Sequence, residues 1–204
     1  MKVEYITDPF PYTLIDDFYD QKELDGIWQE LDFYCYPEKL SPSDKTYPAM
    51  DQFGNIMKKN HGLQLDLVYR DQRMLSNILS INRKILQSDT IKSHPNWFYQ
   101  NLYIDLDFTL LSYYENGDYY KPHQDAGTLT VLTWLYKGEE KKFSGGDFHF
   151  PDYNIDVEVK NNRMIIFPSM IWHSVDKIKM DHEHVGNGLG RWCITQFLSS
   201  NLSR

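Results

Sequence analysis

An alternation of apolar and polar residues with a period of two is the feature that most constrains how this chain can fold. In the stretch NLYIDLDFTLLSYY, residues 101–114, every even position from Leu102 to Leu110 is apolar, and the intervening residues from Tyr103 to Thr109 are more polar. Because successive side chains of a strand point to opposite faces of a sheet, this pattern predicts a strand that buries one face.

Shorter β-like runs follow this stretch at close intervals, and turn sequences such as ENGD, SGG, KNN and GNGLG separate them. The runs are TLTVLTWLY, GDFHF, IDVEVK, RMIIF, WHSVDKI and RWCITQFL. The chain from about residue 97 onward is therefore predicted to be mostly β.

The N-terminal part carries helical patterns instead. The segment DQKELDGIWQELDFY has apolar residues at helical spacing, and Asp20 followed by Glu23 is typical of a helix start closed by a capping box. A second apolar stripe, from Met74 to Leu86, predicts a second helix. Residues 41–62 predict a long loop, and loops of this length are often functional lids or mobile segments.

Two helices followed by many evenly spaced short strands indicate an α+β, mainly β fold, either a jelly roll or a barrel with helices packed on one face. A length of 204 residues suits a single domain spanning 1–204. Within it we expect residues 1–96 to supply helical support and loop, and residues 97–204 to form the β core.

Charge, hydropathy and cysteine content indicate which partners and which cellular compartment to expect. The net charge of -8 and the absence of long Lys or Arg runs disfavour a nucleic-acid groove. No apolar run approaches the roughly 18 residues that cross a bilayer, so no membrane partner is expected. Cys35 and Cys193 lie far apart in a sequence that starts without a basic-then-apolar leader, which predicts a reduced, cytoplasmic protein.

The segment KPHQDAG contains the first candidate metal ligands, His123 and Asp125. A His-x-acid pair is expected about once by chance in a chain of this composition, so the pair alone decides nothing. On a strand, however, the two side chains project to the same face, and His173 in FPSMIWHSV offers a third ligand. Two imidazoles and one carboxylate leave about three coordination positions open, which suits Fe(II), whereas a structural zinc site would want a fourth ligand.

Other histidines carry weaker patterns. The sequence DHEH, residues 181–184, could be a second metal cluster, but its loop context favours a solvated tip. His61, His94 and His149 have no supporting pattern.

Five motifs, in order, resemble those of the Fe(II)/2-oxoglutarate-dependent dioxygenases, particularly the prolyl-4-hydroxylase-like branch. PFPYTLIDDFYDQKEL is similar to the opening strand and helix of that family, and YYENGDYYKPHQD to its metal-binding strand and turn. The remaining matches are SGGDFHFPD, NRMIIFPSMIWHSV and GRWCITQFL.

This resemblance implies a double-stranded β-helix, that is, a jelly roll, with Fe(II) held by a set of three residues and 2-oxoglutarate and O₂ beside it. It implies that Arg191 binds the distal carboxylate of 2-oxoglutarate and that Tyr114 helps to bind the same co-substrate. Ascorbate would be a supporting reductant. The implied metal ligands are His123, Asp125 and His173.

Three aromatic residues, Tyr120, Trp134 and Trp172, are predicted contacts of the co-substrate or substrate pocket. Trp134 stands where some relatives carry a tyrosine, and Cys193 stands where relatives often carry a serine. The 18 residues from His173 to Arg191 are more than is usual for the family, and the segment 177–190 is predicted to be an extended hairpin loop.

The resemblance implies hydroxylation of an unactivated C–H bond, favouring a prolyl group in a peptide or protein. Three alternatives stay open: a small-metabolite hydroxylase of the same superfamily, a non-catalytic jelly-roll binding module, and a cupin-type zinc or manganese enzyme. The last would not need Arg191, and a decayed, non-catalytic site would be expected to lose at least one of these residues.

Overall fold

The computed structural model describes residues 1–35 and 39–200; residues 36–38 and 201–204, which fall within the predicted domain, lie outside this description. The α-helices of the described residues are α1 Gln21–Tyr34, α2 Leu65–Tyr69, α3 Asn77–Asn82, α4 Lys84–Gln87 and α5 Trp97–Gln100. The strands are β1 Lys2–Ile6, β2 Tyr12–Asp16, β3 Ser41–Pro42, β4 Lys58–Lys59, β5 His61–Gln64, β6 Leu106–Tyr114, β7 Tyr119–His123, β8 Leu129–Leu135, β9 Phe143–Ser144, β10 Phe148–Phe150, β11 Ile155–Val157, β12 Arg163–Pro168, β13 His173–Val175, β14 Lys179–Met180 and β15 Arg191–Ser199.

The strands form two main antiparallel sheets. The large sheet has the order β1-β2-β12-β8-β15-β6-β5-β3, and the small sheet has the order β11-β10-β13-β7-β4. A separate two-stranded ribbon joins β14 to β9. Consecutive strands of the C-terminal half thus pass repeatedly between the two sheets, which is the jelly-roll arrangement predicted from the spacing of the short runs.

The large sheet buries both of its faces, and its strands divide their side chains between two cores. In β15, Trp192 and Ile194 pack into the core on the helix side, while Cys193 between them packs into the core between the sheets. In β12, Met164 and Ile165 separate in the same way. The period of two therefore places one set of side chains under the helices and the other set beside the small sheet.

Helix α1 confirms the first helical prediction. The Asp20 carboxylate accepts from the Glu23 N–H and the Glu23 carboxylate accepts from the Asp20 N–H, each at 2.9 Å, which completes the capping box. Ile27 and Leu31 are fully buried against the large sheet. The sequence-encoded cap and the apolar stripe thus fix where the helix begins and which face it buries.

The predicted second helix is wrong as a continuous element. The chain forms a 3₁₀ turn at Arg73–Leu75 and then two short helices, α3 and α4, while Met74 and Leu75 stay more than two-thirds exposed. The helix starts instead at Ser76, whose hydroxyl accepts from the Leu79 N–H and donates to the buried Glu30 carboxylate of α1. A tertiary hydrogen bond to Glu30 therefore sets where α3 begins.

The predicted strand of residues 101–114 begins later than the alternation suggests. Residues 97–100 form α5, and Leu102 and Ile104 pack against the helix-side core without belonging to a strand, so that β6 starts at Leu106. The N-terminal part also contributes five strands, so it is not only helical support.

The stretch 41–62 is more ordered than a simple loop. It carries β3 and β4, and β5 begins within it at His61, joining the large sheet through β6. A turn around Asp51, whose carboxylate accepts from the Phe53 and Asn55 N–H groups, and a bridge between Met50 and Ile56 fold its middle back on itself. Residues 41–62 thus form a hydrogen-bonded flap at the edge of the small sheet.

Across the described ranges, every helix is too short or too polar to cross a membrane.

Candidate metal centre and binding cavity

Two adjacent strands of the small sheet bring the predicted ligands together. His123 ends β7 and His173 begins β13, and these two residues are direct partners in the antiparallel pairing. Asp125 lies just beyond β7, where its N–H donates to the Ser169 carbonyl at 3.0 Å. The prediction that the three side chains converge is confirmed, although Asp125 itself stands in the turn after the strand.

The three side chains form a compact cluster. The Asp125 Oδ2 atom lies 3.2 Å from His173 Nε2, and Oδ1 lies 3.6 Å from His123 Nε2. The candidate ligand atoms all lie within 4.8 Å of one another. Both imidazoles are at least 96% buried, so the cluster is shielded from bulk water on most sides.

Backbone hydrogen bonds fix the orientation of both imidazoles. His123 Nδ1 lies 2.9 Å from the Lys121 carbonyl oxygen, and His173 Nδ1 lies 2.9 Å from the Ile171 carbonyl oxygen. Because a carbonyl can only accept, each Nδ1 carries the proton and each Nε2 presents its lone pair to the cluster. This is the tautomer that a metal-binding histidine needs.

Hydrogen bonds also hold the carboxylate ionised and in place. The Thr130 hydroxyl donates to Asp125 Oδ2 at 2.8 Å and lies 3.0 Å from the Ser169 hydroxyl. Burial alone would raise the pKa of Asp125, but His173 and these contacts hold it below its ordinary value. Burial and the neighbouring His173 lower the pKa of His123 to about 3, so its imidazole is neutral at neutral pH. The donor set is therefore one anionic oxygen and at least one neutral nitrogen without any preparatory proton loss.

A cavity of about 580 Å³ opens beside this cluster, between the two sheets. Its walls come from strands of both sheets and from residues 46–49 of the flap. Tyr114, Tyr120 and Arg191 line it together with the three clustered residues, so the predicted co-substrate residues and the metal cluster share one space.

Arg191 is the most unusual group in the cavity wall. It is fully buried, and Nε, Nη1 and Nη2 all lack a hydrogen-bond partner among the described residues. Two aromatic rings face the guanidinium, with its Cζ 5.1 Å from the Tyr114 ring centre and 5.7 Å from that of Trp134. A buried cation with unsatisfied donors is costly, so this arrangement calls for a carboxylate or similar anion in the cavity.

Gly146 explains how the chain makes room for this arginine. A Cβ atom at that position would lie 2.9 Å from Ile178 Cγ1 and 3.4 Å from Arg191 Cδ, and its φ of +69° also favours glycine. The SGG sequence noted above therefore has a packing reason, because a larger residue would displace the side chains that hold the guanidinium.

Of the other three predicted pocket residues, one lines the cavity and two do not. The Tyr120 ring stacks on the His123 ring at 3.4 Å between centres, and its hydroxyl accepts from the Ala49 N–H at 3.1 Å. Trp134 is fully buried behind Arg191 and is absent from the cavity wall, so its predicted contact is indirect. Trp172, 41% exposed, also does not line the cavity, and its predicted pocket role is not supported by its position.

Three residues at the site had no signal in the sequence. Thr130 and Ser169 support Asp125, but Thr130 occupies an ordinary position in a β-like run and Ser169 lies in the turn after β12. Lys58 lines the cavity although it is only 4% exposed, and burial lowers its pKa to about 8. For Lys58, the missing information is the pairing of β4 with β7, which joins residues 62 positions apart (58 and 120) and which no local pattern encodes.

No second metal cluster forms among residues 1–35 and 39–200. The segment DHEH contains a 3₁₀ turn, His182–His184, in which His182 and Glu183 are exposed, as predicted for a loop tip. The surrounding segment 177–190 adds a short strand, β14, to the expected loop. Cys35 and Cys193 are both free thiols.

Residues 108–199 match the model of the family described as the 2OG-Fe(II) oxygenase superfamily, where 2OG denotes 2-oxoglutarate. The matched segment begins in β6, ends in β15 and contains the metal cluster and Arg191. Over these residues the chain is similar to the 2OG-Fe(II) oxygenase superfamily. The described strands also form the double-stranded β-helix that the sequence predicted.

Solved structures of prolyl hydroxylases share its fold. A prolyl hydroxylase from Trichoplax adhaerens, in complex with a hypoxia inducible factor oxygen degradation domain peptide fragment, aligns with a TM-score of 0.63 at 13% identity over 92% of this chain and 83% of that one. A prolyl-4-hydroxylase from Pseudomonas putida gives 0.60 at 15% identity over 93% and 92%. A viral collagen prolyl hydroxylase from Paramecium Bursaria Chlorella virus-1, in its 2OG complex, gives 0.53 at 15% identity over 95% and 98%.

Comparison with curated protein sequences finds no match. At such low identities the structural neighbours establish the fold of this oxygenase, and its chemistry has to be argued from its own residues. The family implies Fe(II), 2-oxoglutarate and O₂. The site fits the first two, because it offers a carboxylate with two imidazoles for the metal and an unpartnered buried guanidinium for a distal carboxylate.

Proposed function

We propose that this oxygenase hydroxylates an unactivated C–H bond of a prolyl group in a peptide or protein, using Fe(II), 2-oxoglutarate and O₂. The observation that carries the proposal is Arg191, whose three guanidinium nitrogens have no partner among the described residues although the side chain is fully buried beside the metal cluster. A structural role would have required a pairing carboxylate.

The metal ligands in this proposal are His123, Asp125 and His173. Their arrangement leaves the cavity side of the cluster open, as a catalytic rather than a structural metal site requires. When bound, iron and 2-oxoglutarate together supply the redox chemistry that places an oxygen atom of O₂ into a C–H bond. The chain itself contributes orientation, through the Nδ1–carbonyl bonds of both imidazoles and the Thr130 hydroxyl on Asp125.

Arg191 binds the distal carboxylate of 2-oxoglutarate in this proposal. A guanidinium keeps its charge when buried and can grip a carboxylate with two parallel N–H donors, which a lysine cannot do. The Tyr114 ring packs against the same guanidinium. A carboxylate held there would satisfy donors that the folded chain leaves unsatisfied, so co-substrate binding should be tight.

The apolar wall of the cavity excludes water from the reaction. Phe148, Leu132 and Val175 line it between the sheets, and Phe148 also packs near His173, with 5.6 Å between ring centres. A dry site strengthens the charge-assisted bonds of Arg191 and limits side reactions.

The prolyl part of the proposal rests on likeness of fold and on the flap. One structural neighbour was solved with a peptide fragment bound, and all three neighbours described above carry prolyl hydroxylase in their names. Tyr47 and Pro48 of the flap line the mouth of the cavity, and Tyr47 is 79% exposed, which offers an aromatic surface to an incoming chain. The cytoplasmic location and the supporting role of ascorbate stay predictions.

The test is anaerobic addition of Fe(II) and 2-oxoglutarate to the purified, metal-free protein. We expect a weak visible absorption band of the chelate, and 2-oxoglutarate-dependent formation of succinate once air is admitted. His123→Ala should lose both signals, whereas the control His61→Ala, at an exposed position of β5, should keep them. Circular dichroism verifies that both variants fold.

Absence of the band and of succinate in the wild-type protein would contradict the proposed enzyme. If both signals are present, a peptide-library screen by mass spectrometry for the gain of one oxygen atom then tests the prolyl assignment.

A further inference from the structure

Lys58 is a second cation in the catalytic cavity. It belongs to β4, at the edge of the small sheet, where it pairs with Tyr120 of β7. Only 4% of its surface is exposed, and it lines the cavity with Asp125 and His173. Because Tyr120 stacks on His123, the pairing of β4 with β7 places the lysine next to the metal cluster.

The Lys58 ammonium has no ion-pair partner in the part of the chain that the structure describes. Its neighbour on the same strand, Lys59, reaches Asp118 at 3.1 Å, but no carboxylate comes within the 4.0 Å limit of an ion pair for Lys58. Its ammonium lies over an aromatic ring instead, with Nζ 5.4 Å from the centre of the Tyr120 ring. A buried ammonium is expensive to maintain without an anion, so a residue of this kind usually faces a ligand.

A negative charge that acts on Lys58, that of Asp125, would be engaged by metal. Asp125 is the carboxylate that favours the charged form of this lysine. A divalent cation on Asp125 would offset that charge, leaving Lys58 less compensated in the loaded enzyme than in the bare chain. Once metal is bound, the Lys58 ammonium therefore requires another anion to balance its charge.

The co-substrate does not account for this need, because Arg191 is assigned its distal carboxylate and the metal would offset the charge of its oxo-acid carboxylate. The guanidinium lies against Tyr114 and Trp134 of the large sheet, whereas Lys58 lies against Tyr120 of the small sheet. Two separate buried cations indicate two separate anionic groups.

We propose that Lys58 binds a carboxylate of the substrate that is oxidised, so that this substrate carries an acidic group close to its reacting C–H bond. The inference rests on the proposed function, both in assigning Arg191 to 2-oxoglutarate and in taking a prolyl group as the substrate that is oxidised. The carboxylate could be the α-carboxylate of a free or C-terminal prolyl group, or the side chain of an acidic residue beside an internal prolyl group.

The test measures binding by calorimetry to protein loaded with Mn(II) and 2-oxoglutarate. One pair of probes is N-acetyl-L-proline and its neutral amide, N-acetyl-L-prolinamide. The other pair is the blocked peptide acetyl-Ala-Pro-Asp-Ala-amide and its Asn counterpart. We expect the acidic member of at least one pair to bind about tenfold more tightly, as a charge-assisted bond to a buried ammonium requires.

A preference in the first pair identifies an α-carboxylate, and a preference in the second identifies an acidic side chain. Lys58→Met should abolish the preference, because it keeps the length of the side chain and removes its charge. The matched control Lys59→Met, at the exposed position next to Lys58 in β4, removes the same charge from the same strand and should keep the preference. No preference in either pair, including absence of binding, overturns the proposal.

Affinity for 2-oxoglutarate separates this role from a role in co-substrate binding. Lys58→Met should keep the affinity of the wild-type protein for 2-oxoglutarate and the visible band of the Fe(II) complex. If 2-oxoglutarate binding instead falls as far as in Arg191→Met, Lys58 belongs to the co-substrate site and the proposal is wrong. If the wild-type protein gives no band at all, the proposed function fails, while the acid-over-amide preference still tests Lys58 on Mn(II)-loaded protein.

Discussion

Two arginines of the large sheet show how differently this chain treats a buried cation. Arg163 in β12 is 9% exposed and donates from Nη2 to Asp16 Oδ2 at 2.9 Å and from Nη1 to the Glu158 carbonyl at 3.1 Å. Arg191 in β15 is more deeply buried and has no such partners among the described residues. The first arginine is satisfied by the fold, and the second is left for a ligand.

The same contrast holds for the two cores of that sheet. On the helix side, buried polar groups such as Glu30 accept several hydrogen bonds, from Ser76 and Ile78 among others. On the cavity side, Arg191 and Lys58 face open space. Among the described residues, the two buried cations without an ion-pair partner thus lie on the side of the sheet where a ligand could enter, and this is the reason to treat them as functional.

The largest expected effect is the loss of metal affinity when a metal ligand on the cavity side of the sheet is removed. Asp125→Ala should weaken Mn(II) binding by more than about 100-fold, because even residues that only support a metal ligand are commonly worth about 10- to 100-fold. The control Asp156→Ala removes an exposed carboxylate beside His149 and should bind Mn(II) normally. Calorimetric titration measures both, and undiminished binding in Asp125→Ala would refute the assigned ligand.

Replacing Arg191 or Arg163 with methionine should affect different properties, 2-oxoglutarate affinity in the first case and the free energy of unfolding in the second. Arg191→Met should weaken 2-oxoglutarate binding to Mn(II)-loaded protein by about 100-fold, since removing one side of a buried charge pair costs about 2–5 kcal/mol. Its free energy of unfolding should stay equal or rise, because an unpaired buried cation is removed.

Arg163→Met should show the opposite result. It should lose about 1–3 kcal/mol of stability, because Asp16 is left unpaired in a partly exposed position, and it should keep its affinity for 2-oxoglutarate. Urea unfolding and calorimetry test both variants. The comparison fails if Arg191→Met unfolds more easily than Arg163→Met.

Much of the site could be predicted because its main groups lie in motifs that resemble those of a known family. His123, His173 and Arg191 each end or begin a strand of such a motif, and the resemblance implied their roles. Lys58 and the break before Ser76 could not be predicted in this way. The first depends on a strand pairing across 62 residues, and the second depends on the carboxylate of Glu30 in another helix.

A smaller effect is expected from the support of Asp125. Thr130→Val removes the hydroxyl that donates to Oδ2 and should lower Mn(II) affinity by about tenfold while the fold is kept. Thr133→Val, three residues along the same strand but on its helix side, is the control for changes in the strand itself. Equal Mn(II) affinity in the two variants would show that the Thr130 hydroxyl does not matter.

The smallest effect concerns a charge outside the cavity. Burial alone would lower the pKa of His149, but its contacts with Asp156 and Asp176 raise it above the ordinary value. A raised pKa in the folded state means stability that is fully present below about pH 6.5 and is lost as the pH rises through the folded pKa.

Urea unfolding should therefore detect a loss of about 0.5 kcal/mol between about pH 6 and about pH 9 that is absent from His149→Gln. The same pH dependence in the variant would assign it to another group.

The central claim, that the cavity reserves Arg191 for the distal carboxylate of a co-substrate, is tested most directly by changing the ligand and leaving the protein intact. Calorimetry would compare 2-oxoglutarate with 2-oxobutanoate, which keeps the oxo-acid end and lacks the distal carboxylate, on Mn(II)-loaded wild-type protein. We predict that 2-oxoglutarate binds about 100-fold more tightly, and that Arg191→Met reduces this ratio to near one. Equal affinity of the two oxo acids for the wild-type protein would contradict the account.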